Sequence, residues 1–124
     1  MKLAVVGSRT FNNFELLNEI IWGIFGDICV PELGKLDTII SGGAKGADSI
    51  AKRWALINEP VGIKYIEHLP EWNEHGKKAG YIRNQFIIND CDILLAFWDG
   101  KSKGTKHSIE LAKKAKKPTF IVYF

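Results

Sequence analysis

Cysteine and histidine are scarce in this sequence. Two cysteines, Cys29 and Cys91, and three histidines, His68, His75 and His107, are all that its 124 residues offer to a soft metal. The cysteines form no CxxC pair and share no metal-ligand spacing with the histidines, so no zinc site, other metal or disulfide framework is expected. Both thiols are expected to be reduced and buried. Long apolar runs are lacking too. The longest, such as Ile93 to Trp98, have strand length, which excludes a membrane-spanning helix and a membrane partner. Met1-Lys2 leads directly into a short apolar run ending at Gly7, without a signal pattern, and a cytoplasmic location is the expectation. No linker, repeat or low-complexity stretch divides the chain, so residues 1–124 are expected to form a single domain.

Arginine occurs three times only, as Arg9, Arg53 and Arg83. The positive charge is carried by lysine and is unevenly spread. Residues 101–117 hold seven lysines and one acid, Glu110, for a local charge of +6 within a chain of net +3. Such a segment can attract a polyanion. It also fits a solvated helix face, with Lys113 to Lys117 suited to the helix C-terminus. No aromatic residues interleave the lysines, which argues against a nucleic-acid stacking surface there.

What is present is an alternation of strand-like and helix-like segments. Lys2 to Val6 is an apolar run, the mark of a strand covered on both faces. Asn12 or Asn13 can cap a helix whose Phe14, Leu17, Ile21, Ile24 and Phe25 share one face. Residues 26–36 read as a loop. Thr38 to Ser41 is a second strand, and Gly46 to Glu59 a helix with Ala47, Ile50, Ala51, Trp54 and Ala55 as its buried stripe. Ile63 to Leu69 alternates with Lys64 and Glu67 and suggests an edge strand. After a loop at 70–76, a helix from about Lys77 to Asn89 is expected, with Ala79, Ile82 and Phe86 inward. Ile93 to Trp98 is the fourth strand, Thr105 to Lys116 the fourth helix, and Thr119 to Phe124 the last strand. This order predicts an α/β fold: a three-layer, Rossmann-like, doubly wound parallel sheet of about five strands with four main helices. Ligands of such sheets bind at the carboxyl ends of the strands, near the switch in strand order.

Three turns follow strands one, two and four. The first, Gly7-Ser8-Arg9-Thr10, combines a small residue, two hydroxyls and a guanidinium suited to phosphate. The second, Ser41-Gly42-Gly43-Ala44-Lys45-Gly46-Ala47-Asp48, feeds a helix N-terminus and offers backbone N–H groups to an anion. It matches neither the P-loop nor the dinucleotide fingerprint. Asp48 fits either a helix cap or a ligand contact. The third, Trp98-Asp99-Gly100-Lys101-Ser102-Lys103-Gly104-Thr105, is another glycine-hydroxyl loop at a helix start, and Ser102 and Thr105 can hold a second part of the ligand. Trp98 fits a base-stacking role or the core at the strand end. Between them, Gly76, Gly80, Arg83 and Asn84 would share one side of an ideal helix, which suggests a close approach beside Arg83. No nucleophile arrangement stands out, and the acid candidates are Asp48, Asp99 and Glu110.

Taken in order, Gly7-Ser8-Arg9 with Phe11, Ser41 to Asp48, Gly76-Lys77 with Ala79-Gly80 and Arg83-Asn84, and Ala96 to Gly100 with Ser102 and Gly104-Thr105 resemble the YspA-like branch of the SLOG superfamily. The resemblance covers nearly the whole chain. It implies a Rossmann-like domain, similar to LOG phosphoribohydrolases and to DprA, that binds a nucleotide or a nucleotide-derived ligand. In some relatives it implies cleavage of an N-glycosidic bond, in others single-stranded DNA binding. LOG enzymes carry PGGxGTxxE, whereas the residue three after Thr105 is Ser108, so their glutamate has no counterpart. Glu110, five after, would point elsewhere. The reading is therefore a binder of a phosphate-bearing, nucleotide-like small molecule through residues 7–10, 41–48, 83–84 and 98–105. The alternatives are a nucleotide N-glycosidase using Asp48 or Asp99, and a nucleic-acid-binding module. No cofactor is expected, and a homodimer is expected by analogy.

Overall fold

Alternate residues along each strand decide how the sheet is covered. The computed structural model describes residues 1–26 and 35–124; the expected burial of Cys29 and most of the loop at 26–36 lie outside them. Strands β1 (Lys2–Gly7), β2 (Thr38–Ser41), β3 (Lys64–Glu67), β4 (Ile93–Trp98) and β5 (Thr119–Tyr123) form a parallel sheet in the order β3-β2-β1-β4-β5. The helices are α1 (Phe14–Phe25), α2 (Ala47–Ile57), α3 (Trp72–His75), α4 (Ala79–Asp90) and α5 (Lys103–Lys114). Leu3, Val5, Ile39, Leu95 and Phe97 pack on Leu17 and Ile21 of α1 and on Ala51 and Trp54 of α2. The intervening Ala4, Val6, Ile40, Leu94 and Ala96 pack on Ile87 and Ile88 of α4 and on Ile109 and Ala112 of α5. The period-2 geometry of strands thus builds two cores, one on each side of the sheet, and the three-layer α/β fold is as expected. β3 lies at an edge, as its alternation predicts. No helix among the described residues is long and apolar enough to cross a membrane.

Local chemistry fixes the element ends. The Asn13 side chain accepts a hydrogen bond from the Leu16 N–H at 3.0 Å and starts α1. Asn18 then ties α1 to α2, accepting from the Trp54 indole at 2.9 Å. Cys91, 2% exposed, has its thiol pushed up to about 11 by burial, which favours the protonated form at neutral pH.

The expected helix over 77–89 departs most from the structure. Residues 72–75 are already helical, a 3-10 turn at Gly76–Lys78 follows, and α4 begins only at Ala79. Gly76, with φ +58°, breaks the path, so it does not share a continuous helix face with Gly80. Phe86 is 56% exposed rather than inward, and Ile87 and Ile88 take the core instead. The phase shifts because Asn84, 7% exposed, is buried toward α5 by its own hydrogen bonds, which apolar spacing does not reveal.

Lys117 does not serve its own helix. Its Nζ reaches the carbonyls of Ile88, Asn89 and Cys91 at 2.5, 3.3 and 2.6 Å and so closes the C-terminus of α4. Lys117→Met should therefore cost about 1–2 kcal/mol and lower Tm by about 3–8 °C. Replacing the exposed Lys114 in the same way should leave Tm within about 1 °C in the same melting experiment.

Candidate functional site

The strand order turns between β1 and β4, and the loops after β1, β2 and β4 meet above that point. The first loop is held from below. Ser8 N–H donates to the Phe97 carbonyl at 2.9 Å, and Ser8 Oγ accepts from the Asp99 N–H at 3.2 Å. Phe11 stacks on Phe97 with ring centroids 4.0 Å apart. These contacts bury Ser8 and leave Arg9 exposed on the cleft side.

The second loop is organised by Asp48. Its Oδ2 accepts from the Ala44 N–H at 3.1 Å, and Ser41 Oγ donates to its carbonyl at 3.4 Å. The carboxylate does not cap α2: the N-cap is Gly46, and no side chain among the described residues caps that terminus. Burial raises the Asp48 pKa, opposed by the Ala44 N–H and the positive Arg83. Gly46 packs so tightly on the first loop that a Cβ there would stand 2.5 Å from the Ser8 carbonyl oxygen.

The third loop is folded by Asp99, whose Oδ1 accepts from the N–H groups of Lys101 and Ser102, both at 2.8 Å. Those bonds hold its pKa below the usual carboxylate value. Ser102 caps α5 and its Oγ lies 3.1 Å from Thr105 Oγ1. The Trp98 indole donates to the Ser102 carbonyl at 3.1 Å and its ring packs against Tyr123, so Trp98 supports the loop.

From α4, Arg83 crosses to the second loop and donates through Nη1 to the Gly42 carbonyl at 2.6 Å. Its Nε donates to Asn84 Oδ1 at 3.0 Å, and Asn84 Nδ2 bonds the Gly104 carbonyl at 3.3 Å. Burial lowers the Arg83 pKa; Asp48 opposes that shift and the neighbouring charge of Arg9 adds to it.

The result is a cleft of about 400 Å³. Gly7, Arg9, Ala44 and Asp48 line it from the first two loops, and Ser102, Gly104 and Thr105 from the third. Arg83 and Asn84 complete the sequence-predicted part of the wall. The structure does not bring Ser8, Ser41, Gly42, Gly43, Gly46, Ala47, Trp98, Asp99 or Gly100 into that lining. Trp72, Lys77, Gly80, Tyr81 and Ser108 line it instead. Lys77 and Gly80 stand in a segment whose glycines already signal close approach. Trp72 and Tyr81 had no signal beyond being large aromatics beside it. Ser108, 1% exposed, occupies the cleft position three residues after Thr105, and Glu110 points away to pair with Lys106 at 3.9 Å.

The charge of the cleft is one-sided. Arg9, Lys77 and Arg83 face Asp48, and none of the three cations forms an ion pair among the described residues. Elsewhere Glu71, Glu74 and His75 bring three ligand atoms within 4.8 Å of one another, with both carboxylates exposed.

A doubly wound parallel sheet with a cationic cleft over its switch point defines a Rossmann-like α/β protein. Within that class, this chain belongs to the YspA, cpYpsA-related SLOG family, whose pattern residues 1–75 match. It is 42% identical over 120 residues to the Gene 61 protein of Mycobacterium phage D29, covering 92% of this chain and 90% of that one. Its fold is similar to DNA processing protein A from Helicobacter pylori, a protein with a single-stranded DNA binding mode (TM-score 0.64, 25% identity, 98% of this chain). It is also similar to DprA from Streptococcus pneumoniae (TM-score 0.72, 24% identity, 97% of this chain). This chain spans 64% and 49% of the length of those two chains.

Proposed function

We propose that the cleft binds a nucleotide or nucleotide-derived small molecule through its phosphate. The observation that carries this reading is the convergence of Arg9, Arg83 and Lys77, without ion-pair partners among the described residues, beside the uncapped N-terminus of α2. The exposed Arg9 fork, the remaining donor edge of Arg83 and the Lys77 ammonium, near the positive end of α2, are complementary to phosphate oxygens. The buried Asn84 keeps Arg83 in place, so little ordering remains to be done on binding.

Thermal unfolding across nucleoside monophosphates, NAD and ADP-ribose tests it. A ligand at about 100 times its Kd should add about 2.7 kcal/mol of stability. Arg9→Ala should lose most of that shift while melting like wild type without ligand, because Arg9 is exposed and forms no ion pair among the described residues. A flat response to the whole panel at millimolar concentration would overturn the reading.

The likeness to the Helicobacter pylori protein favours a second reading, single-stranded DNA binding along the same cleft. Lys101 and Lys103, next to Ser102 at the rim, would extend the anion track. Binding of this kind weakens with salt at about −0.7 in log–log slope per phosphate neutralised. N-glycosidic hydrolysis would fall to Asp48, the carboxylate that lines the cleft among the described residues; Asp99 is occupied in its own loop.

A further inference from the structure

The wall facing the two glycine loops carries a different chemistry. Trp72 opens α3 and Tyr81 lies in the first turn of α4, and both line the cleft while remaining 56% and 49% exposed. Exposed aromatic rings beside a cationic cleft offer apolar surface that a planar ligand can cover. Gly80 lies between them in sequence; among the described residues a Cβ there would meet only the Trp72 ring edge, at 3.8 Å. The wall is therefore open above Gly80. Tyr81 is held edge-on by His107, with centroids 4.7 Å apart and planes at 88°, and His107 Nδ1 lies 3.3 Å from Asn84 Nδ2. The same Asn84 that orients Arg83 is thus linked through His107 to the Tyr81 ring.

We infer that Trp72 and Tyr81 form a nucleobase-stacking platform, so that the cleft selects nucleotides over sugar phosphates lacking a base. This inference rests on the phosphate-binding reading above and adds the base to it. A heteroaromatic ring stacks on tryptophan or tyrosine with little regard to base identity, whereas a free sugar phosphate has no π-face to stack on either ring. Lys77, on the same wall, is left to bond a base carbonyl or a phosphate oxygen. The juxtaposition of cations and aromatics fits a molecule with an anionic end and a planar end.

Calorimetric titration of the intact protein with AMP, GMP, CMP and UMP, each against ribose 5-phosphate, tests this. The wild type should bind at least one nucleotide about tenfold or more tightly than ribose 5-phosphate. Trp72→Ala and Tyr81→Ala should close that gap by weakening the nucleotide more than ribose 5-phosphate, and Trp72→Phe should keep most of it. Melting curves of the variants report whether they fold. Equal affinity of the wild type for ribose 5-phosphate and all four nucleotides would overturn the platform and leave the phosphate site standing. So would a gap that survives in the folded double alanine variant. Failure of both ligand types to bind would sink the phosphate reading, and the platform with it.

Discussion

Replacing Arg83 with methionine should weaken nucleotide binding by about 10–100-fold and destabilise the fold by about 1–3 kcal/mol. Both effects follow from its position. The guanidinium bridges α4 and the second loop through its 2.6 Å bond to the Gly42 carbonyl, and it lines the cleft. Methionine keeps the apolar stem and loses the bridge, so the loop at 41–48 is freed from α4 while the cleft loses a cation. The Gly42 carbonyl and the Asn84 side-chain oxygen lose a charged donor. Arg83→Lys separates the two roles. A lysine keeps the charge but not the planar fork, so it should recover part of the affinity and little of the stability. Denaturant unfolding and calorimetry on the same preparations check this. Nucleotide affinity unchanged in Arg83→Met would remove this residue from the phosphate site.

Gly46→Ala should cost about 3 kcal/mol or more and abolish nucleotide binding. Gly46 has φ +80° and ψ −127°, a conformation that a side chain makes costly by about 1–3 kcal/mol. A Cβ there would also meet the Ser8 carbonyl oxygen at 2.5 Å and the Arg9 carbonyl carbon at 2.6 Å. Those are backbone atoms on a strand-anchored turn and cannot swing aside, so the first and second loops must separate. Gly100→Ala is the control. Its φ is +82°, yet nothing among the described residues stands within 4 Å of the added carbon. Only the conformational cost of about 1–2 kcal/mol should appear there, with binding retained. Equal losses in the two variants would mean that conformation alone matters and the close packing of the loops does not.

Much of the architecture was legible along the chain. Ile93 to Trp98 is a strand with the bounds its apolar run indicates, and the stripe from Ala47 to Ala55 is the buried face of α2. Asn13 caps α1 as its position suggests. These succeed because burial on two faces of a strand, or one face of a helix, imposes a period that local sequence must carry. Phe86 fails for the complementary reason. The inward face of α4 is set by Asn84, a polar residue whose partners Gly104 and His107 lie twenty residues or more away.

The candidate site divides the same way. The three turns rich in glycine and hydroxyls do follow β1, β2 and β4, and they do meet at the switch in strand order. Within them, the sequence could not separate groups that face a ligand from groups consumed in building the loops. Asp99, Ser8 and Trp98 have the chemistry of a binding site and are engaged in holding loops together. Trp72 and Tyr81 have the composition of core residues and stand in the cleft wall.

By itself, then, the sequence determined the layers, the parallel order of elements and where along the chain the site would fall, because hydrophobic periodicity and turn chemistry act between near neighbours. Only the tertiary structure decided which side chains face the cleft. Side-chain direction in a loop is set by hydrogen bonds to distant elements, as Arg83 to Gly42 and Ser8 to Asp99 are here, and no local spacing records those.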